Sequence, residues 1–148
     1  RTIVVDATDH VVGRLASIVA KRLLLGERVV IVNADKAVLS GDPQMVIEAY
    51  KKMFKVTTHR NPERTGIRRP RTPSRILRDA IIGMLPKKPT GREALRRLRV
   101  YEGVPDELRN KVREFVRFPE ASSSRLSSKY ITVGELARSM GWKRGLRA

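Results

Sequence analysis

Cysteine is absent from this sequence of 148 residues, which excludes disulfide bonds and thiolate zinc sites. Aromatic residues make up only 5% of the chain, so it has no row of aromatic side chains of the kind that stacks single-stranded bases. No apolar run approaches the roughly 20 residues that a membrane-spanning helix needs. Acid is also scarce, because 15 Asp and Glu residues face 32 Lys and Arg residues, leaving a net charge of +17. Since such an excess repels itself, the composition predicts a polyanionic partner, most commonly a nucleic acid.

The basic residues are concentrated in one part of the chain. Residues 56–100 hold 13 basic and 3 acidic residues, a net charge of +10, whereas residues 1–55 carry +3 and residues 101–148 carry +4. More than half of the excess charge therefore lies in less than a third of the sequence. Within this part, the cationic side chains of residues 59–71 are all arginine, and the stretch has too few apolar residues to fold on itself.

A lone run of five arginines usually indicates a solvated loop. Here almost no acidic residue separates the arginines, and further basic residues follow as far as Arg99. Guanidinium groups bind phosphate bidentately and stack on bases, whereas lysine offers only a point charge. The pattern therefore predicts contacts with the backbone and shape of folded RNA. The predicted RNA-binding residues are Arg60, Arg64, Arg68, Arg69, Arg71, Arg75, Lys87, Lys88, Arg92, Arg96 and Arg97.

The start of the chain has the pattern of a βαβ unit. The β-branched run 2–5 predicts a buried strand, and the apolar run 29–32 predicts a second one. Between them, apolar residues recur at helical spacing from Leu15 to Leu23, and Gly26 is placed to end the helix. Two buried strands joined by a helix imply parallel pairing with a right-handed crossover. A third short strand is predicted at residues 37–39.

Two pairs of a capping residue and a proline predict the starts of further helices. Asp42-Pro43 and Thr72-Pro73 each place an N-cap before a proline at the first helical position. The predicted apolar faces are Met45, Val46, Ala49, Tyr50 and Met53 in the first helix, and Ile76, Leu77, Ala80, Ile81 and Met84 in the second. We expect Met84 and Leu85 to anchor the end of the second helix in the core, and Pro86 to turn the chain outward so that Lys87 and Lys88 face RNA. The alternative is that Met84 is partly exposed and contacts RNA itself.

The rest of the chain gives shorter patterns. Residues 90–93 and 132–135 each have the Thr-x-x-Glu spacing of a capping box, which predicts two more helices. Residues 98–101 predict a strand, and apolar residues at helical spacing predict a helix through residues 108–115. Helices placed between buried strands favour a layered α/β domain.

Acidic residues follow the predicted strands and could carry chemistry. Asp6 and Asp9 follow the first strand, and Asp35 and Asp42 follow later ones. Carboxylates beyond strand ends can hold Mg²⁺, so a metal-dependent nucleic-acid enzyme using Asp6, Asp9 and Asp35 is an alternative function. A strand end, a turn and a helix cap explain the same residues and favour a structural role. A Mg²⁺-dependent cleavage assay on RNA and DNA distinguishes the two.

No other pattern indicates catalysis. His10 and His59 are the only histidines, and both fall in stretches predicted to be polar loops. Gly13-Arg14 opens a helix after a strand, as a phosphate-binding loop does, but the further glycines of a Rossmann or Walker motif are missing. We therefore predict that the protein is not an enzyme and has no cofactor, metal or small-molecule substrate.

Several blocks of the sequence are similar to the L13 family of large-subunit ribosomal proteins. The blocks are Val5-Asp6-Ala7, Gly13-Arg14-Leu15-Ala16-Ser17, Val32-Asn33-Ala34, Ser40-Gly41, Gly83-Met84-Leu85-Pro86, Gly91-Arg92, residues 98–103 and residues 132–136. The most specific feature is the glycine-methionine-leucine-proline motif at residues 83–86, together with its spacing from the valine-tyrosine-x-glycine motif at residues 100–103. Together the blocks span nearly the whole chain.

The resemblance implies a three-layer α/β/α domain with a mostly parallel four-stranded sheet. It also implies binding to large-subunit ribosomal RNA, support of early assembly, neighbouring ribosomal proteins as partners, and location in the large subunit in the cytoplasm. The chain lacks the stretch that precedes the first strand in bacterial forms. It also has Val104-Pro105-Asp106 where those forms often carry histidine-proline-histidine. Both departures indicate an archaeal or eukaryotic form, and the short length favours the archaeal one.

We expect one domain over residues 1–148, with a basic excursion at about 56–75 and a C-terminal extension from about 104. A free RNA-binding regulator outside the ribosome is a third hypothesis. Sedimentation of the native protein with large subunits would separate it from a ribosomal protein.

Overall fold

In this computed structural model the residues described are 1–54, 72–112 and 114–143. Five of the predicted RNA-binding residues lie outside these ranges, as does His59: Arg60, Arg64, Arg68, Arg69 and Arg71. Within the described ranges, no helix combines the length and the apolar character that crossing a membrane requires.

A parallel sheet of three strands forms the centre of the fold. Strand β1 (Thr2–Asp6) pairs with β2 (Arg28–Val32), and β2 pairs with β4 (Leu98–Val100), so the order is β1-β2-β4. Helix α1 (Val12–Leu24) joins β1 to β2, which confirms the predicted βαβ unit and its parallel pairing. A four-stranded sheet is not confirmed in the part of the chain that the structure describes.

The free edge of β1 is covered by a segment from late in the chain. Val116 forms an isolated parallel bridge with Val5, in which the Val116 amide donates to the Val4 carbonyl (2.8 Å) and the Asp6 amide donates to the Val116 carbonyl (3.0 Å). A second, antiparallel pair consists of β3 (Val38–Ser40) and β5 (Tyr130–Thr132).

Helix α1 packs on the sheet by the face that the spacing predicts. Leu15, Val19 and Leu23 are fully buried. The helix ends where Gly26 adopts a positive φ of 96°, a conformation that glycine takes without steric cost. The Gly26 amide donates to the Leu23 carbonyl, so Gly26 ends the helix as predicted.

The prolines mark the helix starts correctly. Helix α2 runs over Pro43–Phe54, and the Asp42 carboxylate accepts from the Gln44 amide at 3.0 Å. Helix α3 runs over Pro73–Met84 with Thr72 as its N-cap. Helix α6 (Val133–Ser139) begins where the Thr132 hydroxyl accepts from the Glu135 amide at 3.1 Å, which confirms that cap.

Two predictions about the remaining helices and one about His10 are wrong. Helix α4 runs over Pro89–Arg96 with Lys88 as its N-cap, so Thr90 lies inside the helix and does not cap it. Proline prefers the first helical position, and Pro89 therefore moves the start by two residues. Helix α5 covers only Asp106–Lys111, because the chain turns extended at Val112 and does not continue helical to Phe115. His10 is buried rather than part of a polar loop.

The predicted apolar faces are also partly wrong. Met84 is 45% exposed and Met45 is 71% exposed, so neither belongs to the core, and Ala49 is exposed too. The contacts with the core come from Val46, Ile47 and Tyr50 in α2, and Leu85 alone anchors the end of α3.

Candidate nucleic-acid interface

The cations of residues 72–100 lie at the surface of the fold. All of them are exposed except Arg97, which is half-buried: Arg75, Arg78, Lys87, Lys88, Arg92, Arg96 and Arg99. Among the described residues, the only ion pair in this set joins Arg96 to Glu93 at 3.7 Å, and both side chains are largely exposed. These cations are therefore available to an anionic partner. Arg78 and Arg99 are exposed cations that were not among the predicted RNA-binding residues.

Arg97 is anchored differently from the other predicted RNA-binding residues that the structure describes. Its guanidinium donates from Nη2 to the Leu23 carbonyl at 2.6 Å, at the end of α1. The hydrogen bond gives the Leu23 carbonyl a second donor beside the Gly26 amide and places a cation where the helix dipole is negative. Arg97 thus fixes the end of α1 against β4.

A groove separates the end of α3 from α4, and its volume is about 620 Å³. Its lining consists of the apolar residues Ile82, Leu85, Pro86 and Leu95, the charged residues Asp79, Lys87 and Arg92, and the glycines Gly83 and Gly91. The groove therefore brings two predicted RNA-binding cations, Lys87 and Arg92, to one place.

The start of α4 approaches the chain that leaves α3 closely because residue 91 is glycine. A Cβ on Gly91 would overlap the Pro86 carbonyl oxygen and lie 2.9 Å from the Pro86 carbonyl carbon. Gly91 is buried in the first turn of α4, so its backbone packs directly against the chain that leaves α3. This contact sets the relative positions of the backbone segments that carry Lys87, Lys88 and Arg92.

Glu102 fixes the other end of α3. The Ser74 hydroxyl donates to Glu102 Oε1 at 2.6 Å, and the Ser74 amide lies 3.4 Å from the same oxygen. An acidic side chain near a helix N-terminus is stabilising, because the amides there are unpaired and the dipole is positive. No local pattern predicts this contact, since 28 residues separate the partners.

The carboxylate of Asp6 serves the fold. Its Oδ1 accepts from the Thr8 hydroxyl (2.6 Å), the Thr8 amide (3.0 Å) and Asn33 Nδ2 (3.1 Å), and its Oδ2 lies 2.9 Å from Arg117 Nη2. Burial raises the pKa of the Asp6 carboxyl, but these hydrogen bonds and the Arg117 charge outweigh it and hold the pKa below its ordinary value. Asp6 thus joins the ends of β1 and β2 to the segment that follows Val116.

The other acidic residues also have structural positions. Asp35 lies in a short 3₁₀ helix, Ala34–Lys36, and Asp42 caps α2. These are the turn and the helix cap that a structural role predicts for them. Asp9 is exposed and has a positive φ of 59°. No group of three or more His, Asp or Glu side chains that could hold a metal ion occurs among residues 1–54, 72–112 and 114–143.

His10 joins the first strand's loop to the C-terminal part of the chain. Its Nε2 accepts from the Phe118 amide at 2.9 Å, so Nδ1 carries the proton and donates to the Thr8 carbonyl at 2.9 Å. Both ring nitrogens are therefore used in holding the backbone.

Comparison with known proteins decides the family. A family model described as ribosomal protein L13 matches residues 1–107. The chain belongs to the ribosomal protein L13 family. The Gly83–Pro86 motif of this L13 chain ends α3 and forms one wall of the groove, and Gly91-Arg92 lies in the first turn of α4.

Individual relatives of this L13 chain match it over nearly its whole length. A protein of Aeropyrum pernix named large ribosomal subunit protein uL13 is 56% identical over 147 residues, which cover 99% of this chain and 94% of that protein. Proteins of the same name from Sulfolobus acidocaldarius and Methanocaldococcus jannaschii are 46% and 44% identical. Those alignments cover 94% and 95% of this chain, and 93% and 98% of the two relatives. The three relatives are archaeal, which agrees with the departures from the bacterial pattern.

Proposed function

We propose that this protein is a structural constituent of the large ribosomal subunit that binds large-subunit ribosomal RNA and supports its assembly. Membership of the L13 family carries the proposal, together with the name of its relatives, large ribosomal subunit protein uL13. The protein then acts in the cytoplasm as part of the subunit, with ribosomal RNA and neighbouring ribosomal proteins as its partners. Its role is architectural, without a catalytic site.

The proposed RNA-binding surface is the basic region between residues 56 and 100. Its described part consists of Arg75, Lys87, Lys88, Arg92 and Arg96, all exposed, and Arg97, whose guanidinium also holds the end of α1. Arg60, Arg64, Arg68, Arg69 and Arg71 complete the surface in the basic excursion at about 56–75. Phosphates bind Lys and Arg with release of counterions, so this charge supplies most of the affinity.

We further propose that residues 1–148 act as one domain, from which the basic excursion reaches into RNA. The C-terminal extension from about residue 104 supports this arrangement, because Phe118, Ala121, Leu136 and Trp142 share the core with β1 and α1. A rigid body can then hold the cations of α3 and α4 in register with RNA phosphates.

Salt titration of binding to purified large-subunit ribosomal RNA tests the proposal. The logarithm of the binding constant should fall linearly with the logarithm of salt concentration, with a slope of roughly −0.7 to −0.9 per phosphate neutralised. Replacing Lys87 and Lys88 by alanine should make that slope shallower by about 1 to 2 and leave the melting temperature nearly unchanged.

Lys51 and Lys52 provide the matched control, because they are also adjacent, exposed lysines but lie outside the basic region. Their double alanine variant should bind with the slope of the parent. A flat salt response of the parent, or equal losses in both double variants, would contradict the assigned surface.

A further inference from the structure

The groove between α3 and α4 has a composition that phosphate binding alone does not require. Most of its lining surface is apolar, and Ile82 in that lining is 37% exposed. Two cations, Lys87 and Arg92, line the groove, and neither has an ion-pair partner among the described residues. A ligand that matches this surface has a flat apolar body joined to an anion.

The size of the groove suits one nucleotide. Its volume of about 620 Å³ lies within the roughly 300–1,000 Å³ of sites that enclose small molecules. Sequence-specific contacts to RNA are made mostly to unpaired bases that leave the stack and lie against aromatic or apolar side chains. Ile82, Leu85 and Leu95 can cover a base in this way, with the phosphates on either side within reach of Lys87 and Arg92.

Asp79 adds a negative charge to the lining of the groove. It is exposed, lines the groove and has no ion-pair partner among the described residues. Its charge reaches the neighbouring helix α2, because burial and the Asp79 carboxylate together raise the pKa of Tyr50. An ionised carboxylate only accepts hydrogen bonds, so it repels phosphate and attracts base edges that carry donors.

Guanine is the base that meets this requirement best. Its Watson–Crick edge presents two adjacent donors, N1–H and N2–H, which can both bind one carboxylate. Uracil presents a single N–H between two carbonyl oxygens, and those oxygens would face the negative charge of Asp79. Adenine and cytosine each offer one amino donor beside a ring acceptor.

We propose that this groove holds one unstacked guanosine nucleotide of the ribosomal RNA, with its base between Ile82, Leu85 and Leu95, its Watson–Crick edge on Asp79, and its flanking phosphates on Lys87 and Arg92. The inference rests on the proposed binding to ribosomal RNA and adds a base-specific contact to it. The groove is then a recognition site within a surface that otherwise contacts phosphates.

Gly83 allows the groove to be filled without disturbing the fold. It lies in the groove wall near the end of α3, and no heavy atom lies within 4 Å of a Cβ built on it. Gly83→Leu therefore places a side chain where the base would lie. Gly13→Leu is the matched control, because Gly13 is also an exposed helical glycine with an open Cβ position and does not line the groove.

The first experiment uses the full chain with labelled methyl groups on isoleucine and leucine. Guanosine monophosphate should shift the methyl resonances of Ile82, Leu85 and Leu95, and uridine monophosphate should require at least five times the concentration. Inorganic phosphate should leave these methyl groups unshifted. Asp79→Asn should remove the preference for guanosine over uridine, and Gly83→Leu should abolish the methyl shifts while Gly13→Leu keeps them. Equal binding of both nucleotides, or the same shifts with phosphate alone, would overturn the guanosine site.

The second experiment separates this inference from the proposed function. Gly83→Leu should lower the affinity for purified large-subunit ribosomal RNA about five- to hundred-fold, the range for losing one stacked base, with an unchanged salt slope. Suppose that the parent binds this RNA with a steep salt slope and that Gly83→Leu binds it equally well. The guanosine site in the groove would then be refuted, and the proposed function would stand. The same holds if chemical footprinting of whole subunits finds a neighbouring protein in the groove. A parent that does not bind the RNA would overturn the proposed function itself.

Discussion

Replacing Gly91 by alanine should destabilise the protein, although alanine normally favours helices. A Cβ at this position would overlap the Pro86 carbonyl oxygen and lie 2.9 Å from the Pro86 carbonyl carbon, closer than the 3.0 Å that Cβ atoms keep. The neighbour is backbone, so the turn after α3 and the start of α4 must move apart. Overpacking of this kind costs about 1–3 kcal/mol, which exceeds the gain of up to about 1 kcal/mol from helix propensity.

Urea unfolding of Gly91→Ala and Gly83→Ala measures this difference. Gly83 lies in the last turn of α3 with open space around its Cβ, so alanine there should stabilise the protein by up to about 1 kcal/mol. The two variants make the same chemical change in neighbouring helices and should shift stability in opposite directions. If Gly91→Ala unfolds at the urea concentration of the parent or above it, the close approach of α4 to Pro86 is refuted.

Two further predictions concern the anchor of α3 and the buried carboxylate. Leu85→Ala should lower the free energy of unfolding by about 2–5 kcal/mol because Leu85 is only 7% exposed, whereas Met84→Ala should lower it by less than about 1 kcal/mol. Equal destabilisation of the two variants in thermal melts would contradict the burial of Leu85 and the exposure of Met84. The lowered pKa of Asp6 means that its carboxylate stabilises the fold above its ordinary pKa, and that this stability is lost as pH falls through the lowered pKa. Asp6→Asn should therefore reduce stability at neutral pH, make stability fall less steeply as the pH is lowered, and leave RNA binding unchanged. Urea unfolding from pH 7 to pH 2 measures this. A variant whose stability falls with pH as steeply as that of the parent would contradict the prediction.

The elements that sequence analysis predicted well are those with a local signal. Strands β1 and β2 and helix α1 have clear apolar periodicity, and Gly26 and Pro43 mark helix boundaries through backbone conformation alone. These features depend on residues a few positions apart, so a short stretch of sequence is enough to predict them.

The errors concern features that depend on distant residues. His10 follows β1 among polar residues, and only the Phe118 amide, 108 positions later, makes it a buried side chain. Periodicity placed Met84 on an apolar face, but the packing of Leu85 left it outside the core. The groove could not be predicted for the same reason, because it forms where α4 turns back against the end of α3.

The segment around Val116 has a consequence for the order of events during synthesis. Strand β1 is synthesised well before the segment that covers its edge and binds His10, because that segment follows more than 100 residues later. An uncovered strand edge can pair with another chain, which is a common route to aggregation. While residues up to about 120 are being joined, this basic protein must pass through a stage in which its sheet is open on the β1 side. The segment that closes this edge lies in the last third of the chain. Contact of the earlier basic residues with RNA therefore cannot close the edge before that segment has been made.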